Sequence, residues 1–285
     1  MSRIVYTNGT YVPEDEARVS VFDRGFLFAD AVYEVTSVLD GRLIDFAGHM
    51  RRLRRSLAEL SLPSPADDQQ LLEIHRELLR RNALNEGGVY MMVSRGVADR
   101  DFVFPPETTP PTLVVFTQSW NEAKSPEIET GLKVAFVPDL RWGRRDIKTV
   151  QLLWPSMAKM EARRQGKDDA WLVEDGMVTE GTSNNAFIIG ADGHIVTRAL
   201  SNSILHGTTR ASLLRLAAEQ GLTVEERPFS TDEACNAAEA FITSAGAFVM
   251  PVTEIDGVTI GDGKPGPVTR ALRRIYMEEA LRTAI

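Results

Sequence analysis

The 285-residue sequence predicts a mixed helix-and-strand protein, α+β or α/β in class, built from two domains. Its length exceeds what one hydrophobic core usually supports. A polar stretch from Gln118 to Glu129, carrying Pro126 and with Trp120 as its main large apolar residue, separates two patterned regions. Within each region, strand-type alternation is interspersed with runs of helical periodicity. The expected organisation is therefore a small N-terminal domain over 1–118, a linker over 119–129 and a larger C-terminal domain over 130–285 that carries Lys148.

The N-terminal region opens with strands and turns. Strands are expected over Ile4–Asn8, Arg18–Phe22, Ala31–Leu39 and Arg42–Phe46, with a turn at Gly9 and a hairpin signal at Asp40-Gly41. Phe46, Met50, Leu53, Leu57 and Leu60 then recur at steps of four and three, which sets them on one buried helix face and leaves Arg51, Arg54 and Arg55 elsewhere. A second helix is expected over Asp67–Leu84, then strands over Val89–Ser94 and Thr112–Thr117 flanking a long loop, Arg95 to Pro106. Beyond the linker, Leu132–Val137 and Ala170–Glu174 read as strands and Pro155–Gln165 as a helix stopped by Gly166. Thr208–Gln220 reads as a helix opening at Gly207, Ser230 to Glu233 as a capping box, and Pro267–Arg282 as a last helix.

Composition narrows the function classes. A net charge of -8 and a pI near 5.2 argue against nucleic acid or an anionic membrane as partner and suit an enzyme of small molecules. The single cysteine, Cys235, excludes an internal disulfide, and no run approaches the roughly 20 apolar residues of a membrane span. The chain enters strand-like alternation at Ser2 to Tyr6 with no apolar signal core, so a cytoplasmic protein is expected. His49, His75, His194 and His206 lack metal-ligand spacing, and no Gly-rich nucleotide loop or serine-nucleophile elbow is present; no metal is expected.

The lysines carry the chemistry. Only six of the 32 basic residues are lysine, so arginine serves nearly every surface cationic role. Lys148 stands alone in Arg145-Asp146-Ile147-Lys148-Thr149, about thirty residues before Thr179-Glu180-Gly181-Thr182-Ser183-Asn184-Asn185, read as a turn. A single lysine is ordinarily a solvated charge. This layout, however, is that of a Schiff-base enzyme, and it points to pyridoxal phosphate. A Schiff-base lysine must be partly desolvated to be an uncharged amine near neutral pH, and Ile147, Leu152 and Leu153 are the expected apolar surroundings.

These two segments, together with Asp23-Arg24-Gly25, Asp30 to Glu34, His49 to Leu53, Ile204 to Arg210 and Thr243-Ser244, resemble the fold-type IV pyridoxal phosphate enzymes. Within that group the chain is most similar to bacterial D-amino-acid transaminases. The resemblance spans essentially the whole chain and rests on several matches in the same order. It implies a small N-terminal α/β domain and a larger C-terminal domain with a barrel-like β core. It also implies a homodimer with active sites at the interface.

By the same resemblance Lys148 binds pyridoxal 5'-phosphate covalently and then moves the substrate proton as general base. Glu180 lies against the pyridine nitrogen and keeps it protonated. Arg52 binds the phosphate, with Thr208 and Thr209 at a helix start where free amides favour an anion. A second phosphate turn falls at Thr243-Ser244-Ala245-Gly246; the family carries hydroxyl residues where this chain has Ala245 and Gly246, so at those two positions only backbone amides contribute. Leu205 packs on the ring face. For the substrate carboxylate, the resemblance points to Tyr33 and to an Arg-x-His pair from the partner subunit; here the pair reads Arg100-Asp101-Phe102, with phenylalanine in the histidine position and Asp101 offsetting part of the arginine charge.

The leading expectation is a transaminase moving the amino group of a D-amino acid to 2-oxoglutarate or pyruvate. An (R)-amine or branched-chain transaminase and an aminodeoxychorismate lyase use the same lysine and stand as alternatives. A non-catalytic binding protein on the same scaffold is disfavoured by the intact Lys148 and Glu180.

Overall fold

The computed structural model describes residues 2–285 and divides into two compact units. The first comprises residues up to Asn121 together with Ile147–Gln151 and Thr283–Ile285; the second comprises Glu122–Asp146 and Leu152–Arg282.

The first unit is built on β1 (Ile4–Thr7), β2 (Thr10–Pro13), α1 (Arg24–Phe28), β3 (Ala31–Leu39), β4 (Arg42–Leu43), α2 (Phe46–Glu59), α3 (Asp68–Asn82), β5 (Gly87–Ser94) and β6 (Thr112–Gln118). Its six strands form an antiparallel sheet in the order β2-β1-β6-β5-β3-β4. Period-two alternation in β3 buries Val32, Glu34, Thr36 and Val38 and leaves Tyr33 and Val35 half-buried. Phe46, Met50, Leu53 and Leu57 of α2 and Leu71, Ile74, Leu78 and Leu79 of α3 close over the sheet as one core. Each such aliphatic or aromatic side chain contributes roughly 1.5–3 kcal/mol by leaving water. Asp67 and Gln70 form a capping box that starts α3.

Two local expectations are corrected here. Arg18–Phe22 is not a strand; the segment turns, with Arg18 Nη1 donating to the carbonyls of Asp15 and Ala17. The second strand is instead Thr10–Pro13, folded back on β1 by Asn8 and Gly9, both at positive φ (46° and 97°), the geometry of a tight hairpin turn. Strand β4 stops at Leu43, because Phe46 already opens α2.

The second unit holds α4 (Glu127–Thr130), β7 (Leu132–Pro138), α5 (Leu153–Arg164), β8 (Asp169–Glu174), β9 (Met177–Gly181), β10 (Asn185–Ile189), β11 (Ile195–Thr197), α6 (Thr208–Glu219), β12 (Val224–Glu226), α7 (Thr231–Cys235), β13 (Glu239–Ser244), β14 (Phe248–Ile255), β15 (Val258–Thr259) and α8 (Pro267–Thr283). The sheet runs β12-β11-β10-β13-β14-β7-β8-β9, with β15 paired to β14. Strand β9 lies five strands along from β10, yet only residues 182–184 connect them. A flat sheet would place those strands about 24 Å apart, beyond the reach of so short a link, so the sheet curls. Gly181 N–H donating to Asn184 O (2.8 Å) marks where the curl brings them together. The expected barrel-like core is this curled sheet, filled by Trp171, Ile188, Phe229, Ile242 and Met250 among others. The capping box at Ser230 and Glu233 is present in both directions (3.1 and 3.0 Å).

Candidate active site

Lys148 belongs by its packing to the first unit, although it lies in sequence beyond the expected linker. Residues 147–151 run alongside β3: Tyr33 N–H donates to Lys148 O (3.0 Å), Val150 N–H donates to Ala31 O (3.1 Å), and Thr149 bridges Val32. Ile147 is buried in the core, which anchors the segment, and Lys148 N–H donates to Ser56 Oγ of α2 (3.3 Å). The lysine Nζ sits 4.2 Å from the centroid of the Tyr33 ring. Tyr33 in turn stacks on Tyr90 (5.4 Å), and Tyr90 on Phe116 (4.8 Å), so the ring under the amine is held by an aromatic ladder across the sheet. The apolar surroundings are thus Ile147 and Tyr33. Leu153 is 76% exposed at the start of α5 and Leu152 is also exposed, so neither is the apolar neighbour expected from the sequence.

Helix α2 presents two buried stripes. Besides the apolar one, His49, Arg52 and Ser56 recur at steps of three and four and are buried too. Arg52 grips Glu34 of β3 with two parallel bonds, Nε to Oε1 (2.9 Å) and Nη2 to Oε2 (2.7 Å), and His49 Nδ1 lies 2.7 Å from Oε2. Burial alone would push the Glu34 carboxyl up, but Arg52 and His49 hold it down to about 2. Arg52 is therefore a guanidinium fixed in orientation by a buried carboxylate.

In the second unit Glu180 is not on a turn; it lies inside β9, fully buried, and the turn begins only after Gly181. Thr182 Oγ1 and Asn184 Nδ2 both donate to Asp169 (2.5 and 2.8 Å), which pins that turn. Glu180 receives Arg141 Nη1 on Oε1 (2.6 Å), Asn185 Nδ2 on Oε2 (2.9 Å), and the Leu205 N–H, which is 3.1 and 3.0 Å from the two oxygens. Burial pushes its carboxyl above the ordinary carboxylate range, opposed by Arg141 and by the Leu205 amide.

Asn185 also donates to Leu205 O (3.0 Å), and its Oδ1 lies where a Cβ on residue 207 would stand, 2.1 Å away, so only glycine fits at Gly207. Gly207 is the N-cap of α6 and offers no side-chain cap to the first amides of that helix, at Thr208 and Thr209. Asn185 pairs with Thr243 across the sheet, and the Thr243 hydroxyl is buried without a hydrogen-bond partner. Ser244 Oγ accepts the Ala247 N–H (3.0 Å), shaping the turn that carries Ala245 and Gly246. The start of α6, whose N-cap is a glycine, and an orphaned buried hydroxyl flank the same asparagine, and both suit a phosphate.

Arg100 and Phe102 lie on the long loop of the first unit. The Arg100 guanidinium stands over the Phe28 and Phe102 rings (5.4 and 5.6 Å), and Phe102 meets Phe28 edge-on at 5.7 Å while remaining 79% exposed. Asp101 turns its carboxylate to the Val103 N–H (3.1 Å), and its carbonyl accepts Arg24 Nη1 (2.7 Å). The loop base is held by Arg95, which binds Asp30 with Nε and Nη2 (2.7 and 3.0 Å) and stacks 3.7 Å over Phe104. Among the described residues no hydrogen bond, ion pair or ring contact joins Arg100 to Tyr33. Among the described residues no cluster of His, Cys, Asp and Glu could hold a metal ion, and no helix is long and apolar enough to cross a membrane.

Sequence reasoning missed the roles of His49 and Ser56, whose signal was the second periodic stripe of α2, and of Glu34 on β3, which that stripe faces. It also missed Arg141, which follows β7 and meets Glu180 two strands away in β9, and Asn185, which meets it across the turn after Gly181.

A family model, amino-transferase class IV, matches residues 31–255. The chain belongs to the class IV aminotransferases. It is 37% identical to the D-alanine aminotransferase of Staphylococcus haemolyticus over 269 residues, which is 94% of this chain and 95% of that one. It is 37% identical to the D-alanine aminotransferase of Bacillus licheniformis over 283 residues, 98% and 99% of the two chains. Among solved structures, the T.th. branched-chain amino acid aminotransferase with pyridoxamine 5'-phosphate aligns at a TM-score of 0.88 and 28% identity, covering 98% of this chain and 94% of that one. This aminotransferase is accordingly a fold-type IV enzyme dependent on pyridoxal 5'-phosphate. The buried carboxylate, the ring-backed lysine, and the glycine-led helix start beside an orphaned hydroxyl fit that cofactor.

Proposed function

We propose that this aminotransferase takes the amino group of a D-amino acid and passes it to a 2-oxo acid such as 2-oxoglutarate or pyruvate. The observation that carries the substrate class is the 37% identity, over nearly the full length of both chains, to proteins named D-alanine aminotransferase. When bound, the cofactor supplies an aldehyde carbon that condenses with amines and a ring that accepts electrons. With the cofactor bound, Lys148 Nζ would be the amine that holds it and the base positioned to take up the proton of the substrate α-carbon. Glu180 holds a proton on the ring nitrogen through its ionised carboxylate. Arg52, the amides and hydroxyls of Thr208 and Thr209, and the Ser244–Gly246 turn would hold the cofactor's phosphate, and Leu205 would pack against the cofactor. Tyr33 and Arg100 receive the substrate carboxylate, Arg100 from a second copy of the chain in a homodimer.

A branched-chain or (R)-amine donor is the second reading. It is favoured by Phe102, whose ring offers apolar contact in place of a hydrogen-bond donor, and by the structural likeness to branched-chain aminotransferases. A donor panel decides between them. With 2-oxoglutarate as acceptor, D-alanine and D-aspartate should be turned over at least about tenfold faster than L-leucine or an (R)-amine of similar size. Equal or faster rates with L-leucine would overturn the D-amino-acid assignment.

A further inference from the structure

Arg141 stands seven residues before Lys148 in the sequence, and the structure places it against Glu180. Asp139 is fully buried and grips Arg141 from behind: Nε donates to Oδ1 (2.9 Å), Nη2 to Oδ2 (2.7 Å), and the Arg141 N–H to Oδ1 (3.2 Å). Asp139 is itself fixed by Thr179 Oγ1 (2.7 Å), by its own N–H on Val173 O (2.8 Å), and by Arg145 at 3.4 Å, which also binds Glu174. That leaves one arm of the guanidinium, Nη1, aimed at Glu180 Oε1 (2.6 Å). Thr179 and Glu180 are adjacent in β9, so the same strand carries both a clamp on Asp139 and the carboxylate that Arg141 meets.

We propose that Arg141 is a positioning residue for the cofactor's ring nitrogen: with Asp139 fixing it from behind, it holds the Glu180 carboxylate ionised and in one rotamer. The inference rests on the reading of Glu180 as the carboxylate that meets that nitrogen. A buried carboxylate tends to take up a proton, and a protonated Glu180 could not hold a proton on the ring. The charged and polar groups facing Glu180 are Arg141, Asp139 beyond it, Asn185 Nδ2 and the Leu205 amide. Of these only Arg141 carries positive charge, so it supplies the main counterweight to burial. Lysine would keep the charge but lose the two-sided fork that ties Asp139 and Glu180 to one plane.

The test is a double-mutant cycle read in cofactor affinity, titrating cofactor-free protein with pyridoxal 5'-phosphate. Arg141→Met should weaken binding roughly tenfold to a hundredfold at neutral pH, with Arg141→Lys intermediate. In a Glu180→Gln background, Arg141→Met should cost less than about threefold, because there is no carboxylate left to hold. The wild-type to Arg141→Met ratio should also shrink between about pH 6 and about pH 9 as the unassisted carboxyl ionises on its own. Equal losses in both backgrounds, or a ratio independent of pH, would make Arg141 a structural residue and overturn the proposal. If Glu180→Gln alone leaves affinity unchanged, the reading of Glu180 fails and the proposal with it. If Arg141→Met does not fold, the cycle is run with Arg141→Lys, for which a loss that persists in the Glu180→Gln background is the overturning result.

Discussion

Glu34 keeps a full negative charge inside the first unit because Arg52 and His49 surround it with donors, and this makes it a stability element with a definite pH signature. Its folded value of about 2 lies below its ordinary 4.5. The unfolded chain therefore binds a proton at higher pH than the folded chain does. The stabilisation is complete above about pH 4.5 and drains away as pH falls toward about 2, amounting to about 3 kcal/mol. Glu34→Gln should remove it, lowering unfolding free energy at pH 7 by about 3–5 kcal/mol, because a buried guanidinium loses its carboxylate. Urea unfolding at a series of pH values measures both; a Glu34→Gln protein that keeps the full acid slope between about pH 4.5 and about pH 2 would contradict the assignment. At Lys148 the expectation is chemical. Borohydride reduction of the cofactor-loaded enzyme should leave the cofactor on Lys148 in a peptide map and not on Lys159, which lies on exposed α5 at 3.9 Å from Asp169. Label recovered on Lys159 would remove Lys148 from the mechanism.

At the scale of elements, α2 and α3 show what a linear pattern can and cannot carry. Apolar spacing located α2 and the face it buries, because burial of that face is what makes the helix stable, while α3 was expected only by its bounds. The same arithmetic hid the polar stripe of His49, Arg52 and Ser56, since only the position of Glu34 on β3 turns those residues inward. The cofactor motif behaved likewise. The sequence reads Thr179 to Asn185 as one turn, whereas the structure divides it into the end of β9, a three-residue turn and the start of β10; the meeting of Glu180 with Arg141 depends on β7, β8 and β9 lying side by side. The sequence singles out Lys148, yet the backbone pairing of its segment with β3 joins residues more than a hundred positions apart. His75 extends the argument to stability. It is buried in α3, with Nδ1 donating to Leu71 O (2.7 Å) and its ring edge-on to Phe46 of α2 (5.2 Å). Burial depresses it from 6.5 to about 4, so the unfolded chain takes up a proton first and stability is lost as pH falls from about 6.5 to about 4. His75→Leu should flatten that part of the stability profile, a difference of about 3 kcal/mol at pH 4 relative to pH 7. An unaltered slope would show that the folded protein admits the protonated ring.

At the scale of the whole molecule, the first unit carries an apolar surface that a lone chain does not cover. Val21, Phe22, Phe26, Phe102, Val103 and Phe104 are each more than half exposed, and they come from the α1 region and from the loop that carries Arg100. Monomeric proteins seldom leave contiguous patches of large apolar side chains in water, and such patches mark surfaces of association. The net charge of -8 opposes association at long range, so short-range burial must drive it. With a second copy as the proposed occupant, assembly and substrate recognition become linked through Arg100. Phe26→Asp, placed on α1 outside the loop, should shift the enzyme from dimer to monomer by light scattering at micromolar concentration. Arg100→Ala should leave the dimer intact but lower kcat/KM for D-alanine roughly tenfold to a hundredfold, the worth of a charged hydrogen bond to a carboxylate. An (R)-amine lacking the carboxylate should be spared by Arg100→Ala. If the arginine reaches a partner's substrate, Phe26→Asp should reproduce the Arg100→Ala preference in the monomer, and adding Arg100→Ala to it should cost little more. A Phe26→Asp monomer that still discriminates for the carboxylate would place Arg100 in its own chain's site; an undisturbed dimer would mean that the exposed rings serve another contact.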